Sequence, residues 1–212
     1  MRLTVGPIAE LTLTARGRAR RLSTLTIGIG PPVTPEKRRL LSYVTIEGAN
    51  LWAQYSMSFY FSAALGARDS SGIRIATTPA TSPDQALDWA VHAMHPRLAG
   101  RSGPWTNRQV PDWQKKGDLL KTVRSVGPGI WPIVDGALSY PTRVLSDLPT
   151  MRNFYAHKAE RAAKSARALG RHYGITGVAS PHDLLCSLPR LRSDVLVNEW
   201  LADLQAILNL MP

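Results

Sequence analysis

Two side chains set the terms of the chemistry this chain could do: Arg152 and His157, with four residues between them. A guanidinium is a permanent planar cation that can grip a phosphate through two parallel N–H bonds, and an imidazole exchanges a proton near neutral pH. Cutting RNA without a metal requires these two kinds of group. In such a cut the 2′-hydroxyl would be the internal nucleophile, an imidazole such as His157 would take or give the proton, and a guanidinium such as Arg152 would hold the charge that builds on the phosphate oxygens. The expected products are a 2′,3′-cyclic phosphate and a 5′-hydroxyl. DNA, which lacks the 2′-hydroxyl, should not be cut by this route.

Spacing alone does not single the pair out, because Arg167 and His172 repeat it. The surroundings of the first pair do. Asn153 and His157 stand four apart, on one face of a helix, so Asn153 could orient the imidazole or bond the phosphate. Ala156 is small and leaves room for a ligand. Asp147-Leu148-Pro149 reads as the start of a long, clearly marked helix, which would place the motif in its first turns. Free backbone N–H groups and the positive end of the dipole favour phosphate there. Lys158 and Arg161 follow on the same expected helix and would extend the contact with RNA; Lys164, Arg167 and Arg171 load its later turns with cations.

The run Arg152-Asn153-Phe154-Tyr155-Ala156-His157 resembles the Arg-x4-6-His signature of the HEPN superfamily, including the Asn after the Arg and the small residue before the His. The resemblance implies an all-α helical bundle that pairs as a homodimer, with Arg152 and His157 of both subunits lining a cleft at the interface. It implies a metal-independent endoribonuclease without a cofactor, of the kind found in toxin–antitoxin and antiviral defence systems. RNA is then the expected substrate, and a cognate antitoxin or regulatory protein an expected partner. The nucleotidyltransferase-associated HEPN toxins carry a Tyr two residues after the motif His. Ala159 occupies that position here, so regulation by modifying such a Tyr is not expected.

Composition agrees with a polyanionic partner. The 212 residues include 26 Lys and Arg against 15 Asp and Glu, a formal net charge of +11, which favours RNA, DNA or an anionic lipid surface. Arg outnumbers Lys 20 to six in a chain also rich in Ala and Gly, a bias that GC-rich coding produces as readily as phosphate binding. The single cysteine, Cys186, excludes an internal disulfide and a thiolate zinc site. Set among Leu184, Leu185 and Leu188, it reads as a buried, inert thiol.

The elements that must position these residues are mostly helical. A helix is expected from about Glu36 to Leu65. Its stretch from Gly48 to Ala67 is uncharged but carries Asn50, Gln54, Ser56, Ser58 and Ser62, which suits a helix buried in a bundle or dimer interface better than a membrane span. No membrane partner is therefore expected, and a cytoplasmic location is. Glu47, Asn50 and Gln54 make a polar stripe on this helix, either facing the Arg152/His157 cleft or forming a buried hydrogen-bonded network. Further helices are expected over 84–95, 112–126 and 193–210, with a short one opening at Ser180-Pro181, and a Ser/Thr/Gly/Pro-rich loop over 68–83. Residues 1–34 read as an N-terminal extension. Leu11, Leu13 and Ala15, then Leu25, Ile27 and Ile29, alternate with polar residues around Arg16-Gly17-Arg18-Ala19-Arg20-Arg21, as in a β-hairpin whose basic tip is solvated or clamps a phosphate backbone. Residues 35–212 form the expected HEPN-like helical domain.

Two other functions stay open on the sequence. A non-catalytic helical module could use the basic surface to hold nucleic acid or a protein. A metal-dependent hydrolase could be built on Asp88, His92 and His95, which share a face of the 84–95 helix, although an amphipathic helix places polar residues on that face anyway.

Overall fold

The computed structural model describes residues 5–69 and 72–212. Residues 1–4 of the expected extension and 70–71 of the expected loop lie outside them. Among the described residues the elements are α-helices joined by turns and two 3₁₀ segments, and the one β-type pairing is an isolated bridge between Arg68 and Arg74. In order the helices are α1 (Ile8–Leu25), α2 (Pro35–Ala64), α3 (Pro83–Met94), α4 (Lys116–Val126), α5 (Trp131–Leu138), α6 (Val144–His157), α7 (Glu160–Ala168), α8 (Pro181–Leu185) and α9 (Leu196–Leu210). None is long and apolar enough to cross a membrane.

The chain divides into two compact units. One gathers residues up to 16, 52–140 and 207–212; the other gathers 17–51 and 141–206. Residues 17–51 therefore stay together, and the expected boundary between 34 and 35 falls inside one unit.

The expected hairpin is corrected: residues 8–25 are helix α1. The alternation of Leu11 and Leu13 with threonines suggested period 2, yet the buried set is Ile8, Thr12, Ala15, Ala19 and Leu22, spaced three and four apart. Leu13, at 63% exposure, lies outside that stripe. Gly17, read as part of a turn, sits within the helix. Arg16, placed at the supposed tip, instead caps a helix end. Its Nε donates to the Leu208 carbonyl at 2.9 Å, and Nη2 donates to those of Asn209 and Met211 at 3.1 and 3.2 Å. The last carbonyls of a helix lack intrahelical donors, and a cation there also meets the negative end of the dipole. Replacing Arg16 by Ala should cost about 1–3 kcal/mol, since several charge-assisted bonds are lost together; the drop in the urea midpoint measures it.

In the first unit the core is the second half of α2. Trp52, Tyr55, Phe59, Tyr60, Phe61, Ala63 and Ala64 are all buried, so the helix is apolar on nearly every side. Some of its polar atoms find partners: Tyr60 Oη donates to the Ala86 carbonyl of α3 at 2.7 Å, and Ser62 Oγ accepts from Gly6 N at 3.1 Å, whereas Trp52 Nε1 and Ser56 Oγ are buried without one. Ser82 caps α3 by accepting from Gln85 N, with Pro83 in the first turn. The buried face of α3 is small (Ala86, Ala90, Val91), which permits the close approach to Tyr60. Gly127 separates α4 from α5; a Cβ there would stand 2.6 Å from Ile75 Cγ2.

In the second unit α6 packs on α7, and α7 on α8. Helix α6 starts at Val144, one turn before the expected start, because Thr142 Oγ1 accepts from Val144 N at 3.1 Å. Pro149 thus lies inside the helix. The expected single long helix also stops early. Lys158 adopts a left-handed conformation (φ 49°) and Ala159 is extended before α7 begins. Asp147, 1% exposed, organises the interior: Tyr173 Oη donates to its Oδ2 at 2.7 Å, Ser146 Oγ donates to Oδ1 at 3.1 Å, and Trp200 Nε1 donates to Tyr173 Oη at 2.8 Å. Ser180 and Asp183 form a reciprocal capping box at the start of α8. Cys186 is buried, as expected, and burial pushes its thiol pKa up.

Candidate functional site

Helix α6 places the Arg152/His157 motif at its far end. Arg152 lies in the second half of the helix and His157 is its last residue. The expectation of a motif at the positive end is therefore corrected. This end presents carbonyls, and one of them, Phe154 O, is taken by Lys158 N at 2.7 Å. A carbonyl end repels phosphate, so charge for a phosphate must come from side chains.

Arg152 is half-buried, and its Nε is buried without a hydrogen-bond partner. Asn153, Ala156 and His157 are exposed. Five helical steps turn the chain by about 500°, so Arg152 and His157 leave the helix about 140° apart. Arg161 is exposed on α7, the helix after the break. On α2, Glu47 and Asn50 belong to the same unit as the motif, and Gln54 to the other. Glu47 is engaged by Arg18 at 3.6 Å.

Lys158 is drawn into a groove. The first turns of α2 supply Arg38, Arg39, Ser42 and Tyr43; the end of α6 supplies Phe154, Tyr155 and Lys158; α8 supplies His182. The groove holds about 580 Å³. Among the described residues Arg38, Arg39 and Lys158 have no acid within ion-pair distance. The helix break turns Lys158 to this side, and the N-terminal turns of α2 carry the two arginines because α2 begins immediately after a proline-rich turn. Lys37 beside them is spent on that turn, donating Nζ to the carbonyls of Gly30 and Pro32.

His182 forms one wall. Its ring stands edge-on to Phe154 and Tyr155, with centroids 5.5 and 5.3 Å away. Its pKa lies below the ordinary imidazole value, first because of burial and then because of the Arg38 charge; Asp183 opposes the shift and Lys158 adds to it. At neutral pH the groove thus presents cations beside an uncharged imidazole. Tyr155 is 6% exposed, and its hydroxyl is buried without a partner. Burial raises its pKa well above the phenolic range.

The Asp88, His92 and His95 row has another use. Asp88 Oδ1 accepts from Trp105 Nε1 at 2.6 Å and from Gly103 N at 3.2 Å, and His92 Nε2 bonds the Arg101 carbonyl at 2.8 Å. His92 also meets the Trp105 ring edge-on. Two of the three candidate ligands therefore fasten the 101–105 loop to α3. Among the described residues no three His, Cys, Asp or Glu side chains are placed to hold a metal ion.

Sequence reasoning did not anticipate Arg38, Arg39, Tyr43 and His182 as one site. Part of the signal was present: Arg39, Tyr43 and Glu47 follow each other at steps of four on α2, an aromatic within a charged row. His182 joins them only through tertiary packing. No family model, curated protein or solved structure matches the chain.

Proposed function

We propose that the protein is a metal-independent endoribonuclease of HEPN type, and that RNA enters by the groove at the end of α6. The observation that carries this reading is the groove's makeup: three cations without acid partners, aromatic walls and an uncharged imidazole, contiguous in sequence with the Arg152/His157 motif. The cations supply the phosphate attraction that the carbonyl end of α6 does not. Arg152, with an unsatisfied Nε, binds the scissile phosphate; exposed His157 transfers the proton; Asn153 supports them. Lys158 and Arg161 hold flanking phosphates. In a homodimer a second copy would bring its own Arg152 and His157 to the cleft, and an antitoxin or other regulatory protein would act by covering it.

A second reading, RNA binding without cleavage, draws on the 140° between the motif's side chains and on the absence of a positive helix end at His157. One assay separates the two. RNA is incubated with the protein in excess EDTA and the product ends are identified. Cleavage that survives chelation and leaves 2′,3′-cyclic phosphates supports the nuclease. Cleavage that EDTA abolishes overturns metal independence, and intact RNA bound to the protein favours the second reading.

A further inference from the structure

We propose that Tyr43 is a stacking platform for a base of single-stranded RNA, and that the strand's backbone runs along two cationic grooves that meet at this side chain. The inference rests on the RNA reading above and adds to it the form of the substrate and the residue that selects it.

Tyr43 lines the groove already described and also a second one, of about 460 Å³, bounded by Arg18, Arg21, Thr24, Leu25 and Glu47. Both grooves lie within one compact unit. The tyrosine is 54% exposed, so its ring is open to a ligand. On one side are Arg38, Arg39 and Lys158, and on the other Arg21. Arg18 and Glu47 in the second groove neutralise each other at 3.6 Å. Four cations then remain for a polyanion, flanking one exposed π face.

That combination selects a single strand. Electrostatic attraction to the backbone is indifferent to sequence and to strandedness. An exposed aromatic ring can stack on a base only if the base is free of its own neighbours, which excludes the interior of a duplex. The Tyr43 hydroxyl is not needed for stacking, so phenylalanine should serve as well.

The test is fluorescence anisotropy with a roughly 12-nucleotide RNA carrying 2′-O-methyl groups, which removes the internal nucleophile and separates binding from cleavage. Comparison ligands are the same sequence as a duplex and vesicles containing phosphatidylserine. Tyr43→Ala should weaken single-strand binding by about 10-fold or more, while Tyr43→Phe stays within about threefold of the parent. Arg21→Ala and Arg38→Ala should each lower the slope of log affinity against log salt by about 0.7, because each removes one phosphate contact on a single strand. Circular dichroism melts confirm that each variant folds. Single-strand affinity unchanged in Tyr43→Ala would overturn the stacking role, and so would duplex binding that is equally tight and equally sensitive to the substitution. Arg21→Ala without effect on the salt slope would overturn the two-groove path. Binding to anionic vesicles but to no nucleic acid would overturn this inference and the RNA reading together. Cleavage of RNA by a protein whose Tyr43→Ala variant binds normally would leave the nuclease reading standing alone.

Discussion

His157→Ala should slow RNA cleavage in EDTA by about 10²- to 10⁴-fold, the range that a positioned acid–base group contributes. His157 is exposed at the end of α6, so its removal leaves no cavity and exposes no buried partner. Binding of a 2′-O-methyl RNA should change by less than about threefold, because His157 does not line the groove whose cations are proposed to hold the strand. A loss of rate without loss of affinity marks a group used in the chemical step. Arg152→Lys should also slow cleavage, because an ammonium cannot reproduce the two-pronged guanidinium contact. A His157→Ala protein that cleaves as fast as the parent would remove the motif from the mechanism. His182, the imidazole that lines the groove, would then be the residue to replace next.

The second large effect concerns stability. Asp147→Ala should destabilise the second unit by about 3–5 kcal/mol, the usual consequence of removing one member of a buried, charge-assisted network. The carboxylate accepts from Tyr173 and Ser146 and faces Arg143 Nε at 3.5 Å. Without it the Tyr173 hydroxyl keeps only the Trp200 indole as a protein partner, and that bond uses the tyrosine as acceptor, leaving its half-buried proton without one. Asp147→Asn, which retains an acceptor of the same shape, should cost about half as much. Trp200 fluorescence reports the transition locally. An Asp147→Ala protein with an unchanged denaturation midpoint would show that the network contributes nothing net.

How far the sequence reveals this structure depends on where the information lies. Helices α2 and α3 are legible because their signals are local: Ser82-Pro83 is a cap followed by a first-turn proline, and the uncharged half of α2 can only be an interior helix. Helix α1 is not legible in the same way. Its threonines alternate with leucines over a short window, and only the longer record of Ile8, Thr12, Ala15, Ala19 and Leu22 reveals the helical period. The break at Lys158 is less legible still. Lys158, Ala159 and Glu160 are all good helix formers with no glycine or proline among them, so tertiary packing overrides their propensity. That override moved the motif from the start of a long helix to the end of a short one. Within the candidate site, Lys158 is legible as a cation next to the motif, and the polar row of Asp88 and His92 as a face. Their partners are not, since Arg38 and His182, or Asp88 and Trp105, meet only across the fold.

The left-handed lysine between α6 and α7 has an evolutionary corollary. Glycine occupies that region of backbone space without steric penalty, whereas a side chain there costs on the order of 1 kcal/mol. A chain selected for thermal robustness alone would drift toward glycine at position 158. On the reading proposed above, an ammonium at the mouth of the groove offsets that cost by holding an anion, and a thermally hardened descendant with Lys158→Gly would be expected to melt higher and to bind RNA less tightly.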